Sequence, residues 1–83
     1  PNPFNPTTNI RYDLPKEELV SITIFDVVGR SIRSLLNQKQ SAGYHGIQWD
    51  AKNDLGEPVS AGMYFYIIHA GEHRSVKKMV LLK

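Results

Sequence analysis

Residues 62–82 read GMYFYIIHAGEHRSVKKMVLL, and the fold turns on whether this stretch is one hairpin. Met63, Phe65 and Ile67 alternate with Tyr64, Tyr66 and Ile68, so apolar side chains fall on both faces of an extended chain. That is the pattern of a central strand covered on two sides. Ala70-Gly71-Glu72-His73 then supplies tight-turn chemistry, with a glycine free to adopt positive φ. RSVKKMVLL, residues 74–82, returns as a last strand. Under this reading the apolar run Met79, Val80, Leu81 and Leu82 is held by sheet pairing at a place where most chains fray.

Outward from the hairpin the same period recurs. TTNIRYDL (7–14) sets Ile10, Tyr12 and Leu14 on one face against Asn9, Arg11 and Asp13, and Pro15 ends it. LVSITIFD (19–26) sets Val20, Ile22 and Ile24 against Ser21, Thr23 and Phe25, before VVGR turns the chain at Gly29. In SIRSLLN (31–37) the adjacent Leu35 and Leu36 break the alternation, which predicts a bulge or a strand end. GYHGIQWD (43–50) places Ile47 and Trp49 on one face, with Trp49 the large core residue. NDLGEP (53–58) is turn chemistry, and Val59 adds one short pairing. About seven short strands with brief connections and no helix predict an all-β fold, an immunoglobulin-like antiparallel sandwich lacking the inter-sheet disulfide. A small open barrel is the alternative.

The chain has 83 residues and no cysteine. One domain of this size buries roughly 60–65% of its unfolded surface, and neither a disulfide nor a thiolate metal site reinforces it. The net charge is +2, too mild for a nucleic-acid partner when the basic residues gather in one tail. Arg74, Lys77, Lys78 and Lys83 stand there against Glu72 alone, as on a solvated strand edge. No run reaches the ~18 apolar residues of a membrane span, no signal peptide is present, and stable membrane insertion is not expected. The first residue is Pro1 rather than Met, which points to a piece of a longer protein.

Catalytic chemistry finds no foothold. His45, His69 and His73 lack metal-ligand spacing, and no serine lies in a G-x-S-x-G elbow. Glu17 and Glu18 follow Pro15 as solvated turn residues. Asp50 and Asp54 flank a loop and are turn caps in preference to a calcium site, since calcium wants six to eight oxygens. No catalytic residue, metal or cofactor is therefore assigned, and the chain is not expected to be an enzyme. Tyr44, Tyr64 and Tyr66 are the candidates for a flat sugar-binding surface, although tyrosine in a central strand is more often core.

The opening PNPFNP cannot continue a sheet and forms a semi-rigid entry, with Phe4 free to dock. This stretch, IFDVVGR (24–30), AGYHGIQWD (42–50), SAGMYFY (60–66) and the terminal KKMVLLK (77–83) together resemble the type A C-terminal sorting domain of type IX secretion cargo in the Bacteroidetes group. The resemblance spans essentially the whole chain in the family's order. Phe25 stands where the family commonly has tyrosine, and Ala51 where it commonly has glycine. The pattern is similar also to the immunoglobulin-like domain of the flagellar hook-capping family.

The resemblance implies a non-enzymatic domain, residues 8–83, entered through a linker at residues 1–7 and fused behind an N-terminal cargo domain. It implies export through the periplasm to the cell surface or medium, with an outer-membrane secretion translocon and a sortase-like surface peptidase as partners. It assigns Pro1, Asn2, Pro3 and Asn5 to an entry motif and Gly62 and Tyr64 to a central motif. Lys77, Lys78, Met79, Val80, Leu81, Leu82 and Lys83 form the terminal signal. The alternative function is an extracellular structural spacer or carbohydrate-binding module attached to a secreted hydrolase.

Overall fold

A computed structural model of the chain describes residues 7–82, so the entry motif Pro1, Asn2, Pro3 and Asn5, most of the expected linker, and Lys83 lie outside the described residues. Six strands follow in order: β1 (Thr8–Leu14), β2 (Glu18–Asp26), β3 (Ser31–Gln40), β4 (Gly43–Trp49), β5 (Gly62–Ala70) and β6 (His73–Leu81). They form a four-stranded sheet in the order β3-β2-β5-β6 and a two-stranded sheet β1-β4, all antiparallel. The two sheets pack as an immunoglobulin-like sandwich.

Alternation puts the core between the sheets. Ile10 and Leu14 from β1 and Trp49 from β4 face Val20, Ile22 and Ile24 from β2, Tyr64 from β5 and Leu81 from β6. Trp49 is fully buried and meets the Tyr64 ring edge-on, with centroids 5.4 Å apart. Its indole N–H donates to the carbonyl oxygen of Lys52 at 2.9 Å, so its polar atom is satisfied. The break at Leu35 and Leu36 is a bulge: Ile22 opposes Leu36, Thr23 opposes Ser34, and Leu35 is the inserted residue. A second insertion falls at Ile32, between Arg33 and Ser31. Both bulged residues, with Leu36, pack against the core, which lets one strand send neighbours inward.

Three expectations need correction. The seventh strand at Val59 does not form. An isolated bridge between Lys52 and Pro58 takes its place, beside a bond from the Val59 amide to the Ala51 carbonyl oxygen at 2.9 Å. Pro58 has no N–H to extend a ladder, and Ala51 leaves the extended region, so pairing stops there. The central strand β5 lies between β2 and β6 as its composition suggests, but only its Tyr64, Tyr66 and Ile68 face is covered. Met63 is exposed, while Phe65 and Ile67 are half-buried by their neighbours on the open face. Finally, Glu18 belongs to β2, opposite Gln40, rather than to a turn.

Ala51 is the one described non-glycine residue at positive φ (62°), and it is buried. A left-handed conformation costs an alanine roughly 1–2 kcal/mol. Glycine relieves that strain, but it forfeits a buried methyl worth about 0.8 kcal/mol and gains unfolded-state freedom worth ~0.4–1 kcal/mol. We therefore expect Ala51→Gly to melt within about 1 kcal/mol of the parent. Ala51→Val, β-branched at positive φ and overpacked, should lose about 2 kcal/mol or more. Thermal melts of the two variants check this.

Candidate functional site

The terminal segment is positioned by the hairpin that joins β5 to β6. Gly71 takes φ 60° and Glu72 stays at negative φ, as a type II′ turn requires. Ala70 and His73 close the turn as a paired couple, and pairing continues in register to Gly62 opposite Leu81. In a two-residue hairpin the closing pair is hydrogen-bonded and alternate pairs follow suit. His73, Ser75, Lys77, Met79 and Leu81 therefore bond to β5. Arg74, Val76, Lys78 and Val80 turn their amides and carbonyls to the other side, where β6 has no neighbouring strand among the described residues.

Side chains along the terminal segment divide by the same period. Leu81 is buried and Met79 packs half-buried against the core, whereas Val80 is 60% and Leu82 77% exposed. Lys77 lies exposed on the inner face, in line with Tyr66, and Lys78 exposed on the outer face, opposite Phe65. The expectation that all of Met79 to Leu82 packs in the sheet thus holds for alternate residues only, and Leu82 lies past the strand's end.

The opposite edge of the same sheet is closed at its Ile32–Ser34 end. Asp54 donates its amide to the Ile32 carbonyl oxygen at 3.0 Å and accepts the Ser34 amide on its carboxylate at 2.9 Å, standing in for a neighbouring strand on β3. Arg33 secures the loop by donating to the Asp50 carboxylate and to the Lys52 carbonyl oxygen, each at 3.1 Å. Asn53 folds the loop by accepting the amides of Leu55 and Glu57 on its side chain. Asp50 and Asp54 are thus committed to turn and edge closure, and among the described residues no group of three or more metal-ligand side chains gathers. The sequence predicts a turn cap at Asp54; its edge-closing role depends on contact with a residue 20 positions earlier, for which local sequence carries no signal.

Gly62 and Tyr64, the central motif, sit at the base of the same hairpin. Gly62 has φ 141° with open space where a side chain would go, so backbone conformation rather than crowding requires glycine. Tyr64 is buried, and its hydroxyl donates to the Ser60 carbonyl oxygen at 2.6 Å, a tyrosine corner that fixes the strand's entry. The candidate sugar surface is not assembled: Tyr64 is in the core, Tyr66 faces inward, and Tyr44 is 89% exposed on β4 of the other sheet. His45 stacks on Tyr12 and contacts the Ser41 carbonyl oxygen at 2.8 Å, and His69 and His73 are exposed.

At the β2–β3 turn the Asp26 carboxylate accepts the amides of Val28 and Arg30 and the Arg30 guanidinium, at 3.1, 2.9 and 2.7 Å. The Arg30 amide, helped by the guanidinium, holds its pKa below the ordinary carboxylate value. A depressed folded pKa means the contribution is complete above the unfolded value near 4 and disappears as pH falls through the folded value. Asp26→Asn should therefore melt below the parent at pH 7, and the gap should narrow toward pH 3 in thermal melts at the two pH values.

Comparison with known proteins places this geometry. FlgD from P. aeruginosa superposes with a TM-score of 0.70 at 21% identity, covering 90% of this chain and 59% of that one. Dimeric latent PorU from Porphyromonas gingivalis superposes with a TM-score of 0.67 at 24% identity, covering 96% of this chain and 8% of that one. The chain therefore spans about three-fifths of the first and under a tenth of the second, and at these identities the likeness is one of fold. A search of curated protein sequences finds no match. A family model, the secretion system C-terminal sorting domain, matches residues 1–82. The chain belongs to that family, the signal domain of type IX secretion that sends its protein to the cell surface or the medium.

Proposed function

We propose that the secretion machinery reads this domain folded, by adding a strand to the outer edge of β6. The carrying observation is the asymmetry of the four-stranded sheet: loop 50–57 closes the start of the β3 edge, at Ile32 and Ser34, through Asp54, whereas β6 offers Arg74, Val76, Lys78 and Val80 to the outside. Strand addition takes affinity from main-chain bonds and specificity from alternate side chains, here two lysine- and valine-bearing positions at the end of the chain. Lys77 to Lys83 is then the sorting signal, the outer-membrane translocon its receptor, and a sortase-like surface peptidase the partner that later acts at its cargo side. Residues 1–7 serve as the linker to the N-terminal cargo, and residues 8–83 as the sorting domain, with no catalytic role. Gly62 and Tyr64 act by fixing the hairpin rather than by touching the receptor.

A fusion of residues 1–83 to a signal-peptide-bearing fluorescent reporter, expressed in a bacterium with a working type IX system, tests the reading. Reporter at the surface or in the medium is the expected result; a soluble reporter retained in the periplasm would overturn it.

A further inference from the structure

The second free edge of the fold lies over a groove. Two strands cannot cover four, and among the described residues β1 pairs with β4 alone and leaves its other edge unpaired. Beside that edge runs a groove of about 370 Å³. Four consecutive residues of β1, Arg11 to Leu14, line one wall, as happens when a strand presents its backbone edge rather than one face. Tyr66, Ile68 and Ala70 of β5 form a half-buried apolar floor. The far wall is β6, whose His73, Ser75 and Lys77 share the inner face with that floor and yet are exposed, because the opposing sheet stops short of them.

The charge of the groove is one-sided. Arg11, Arg74 and Lys77 line it against Asp13 alone, and among the described residues none of these four has an oppositely charged side chain within 4.0 Å. An occupant must pair with backbone on one side, lay apolar side chains on the floor, and bring negative charge to the rim.

We infer that this groove receives an extended acidic peptide segment of another protein, added to β1 as a third strand of the small sheet, with alternate apolar residues on Tyr66, Ile68 and Ala70 and carboxylates toward Arg11 and Lys77. Four lining residues at about 3.3 Å each set a segment of about four to six residues. This edge belongs to the other sheet, so the inference stands apart from the reading of β6 and survives its failure.

The test is an NMR titration of the 83-residue chain with a soluble seven-residue peptide alternating valine and glutamate. Amides of Arg11 to Leu14 and of His73 to Lys77 should shift together and saturably. The same peptide with lysine for glutamate should leave them unmoved, and alternate backbone N-methylation should abolish binding while charge is kept. The double variant Arg11→Glu/Lys77→Glu, at two exposed positions, should melt like the parent and bind about tenfold more weakly. Equal binding of the lysine peptide, an undiminished N-methylated peptide, or shifts at β6 without β1 would each overturn the inference. So would concentration-dependent shifts of the same amides without peptide, which would make a second copy the occupant.

Discussion

Replacing Trp49 with alanine is expected to leave the domain largely unfolded at growth temperature. The side chain is fully buried between the sheets, meets the Tyr64 ring edge-on and spends its N–H on the Lys52 carbonyl oxygen. Its loss opens a cavity and orphans a carbonyl, about 3–5 kcal/mol in all. At ~0.05–0.15 kcal/mol per residue a domain of this size holds roughly 4–12 kcal/mol, so one substitution removes a large share of it. The melting temperature should fall by about 15 °C or more, followed by far-UV circular dichroism. Trp49→Phe, which keeps the ring but not the donor, should fall by less than half as much. A drop under about 5 °C for the alanine variant would show that the core is not centred on this residue.

Ending the chain at Lys78 should be nearly as damaging. The cut removes Leu81 from the core, Met79 from its rim, and the pairs that Met79, Val80 and Leu81 make with Tyr64, Met63 and Gly62. Leucine burial alone is worth about 2–5 kcal/mol, and the tyrosine corner at Tyr64 loses its strand neighbour. The truncated domain should lose cooperative melting and become rapidly degraded by protease in the periplasm. Failure of export on truncation is consequently a stability effect first, and cannot by itself reveal what the machinery reads. A truncated domain that still melts cooperatively near the parent temperature would contradict this.

What was legible in the sequence was whatever period 2 and local turn chemistry encode. Ile10, Val20, Ile22, Ile24 and Trp49 declare the inner faces, Gly71 declares the hairpin, and the doublet Leu35-Leu36 declares a bulge. Features set by partners distant along the chain stayed hidden. Apolar residues on both faces of β5 signalled a central strand correctly, but not that its outer face stays open, because hydrogen-bond neighbours and covering layers leave the same composition. The closure of β3 by Asp54, and its absence on β6, follow from how a loop folds back over the sheet. Ala51 lies between these cases. Glycine is usual there in the resembling family, and the positive φ supplies the reason. Of the terminal residues, the pattern told which are apolar; only pairing told that Leu81 is structural while Val80 is available.

That distinction supplies the most direct measurement of the central claim. Val80→Pro deletes an amide that faces the open edge and bonds to nothing in the ladder, a place where a strand tolerates proline, so the variant should remain folded with cooperative melting. Fused to the signal-peptide-bearing reporter and expressed beside the parent fusion in a type IX host, it should accumulate soluble in the periplasm while the parent reaches the surface or medium. A folded Val80→Pro fusion exported as well as the parent would contradict reading of the β6 edge.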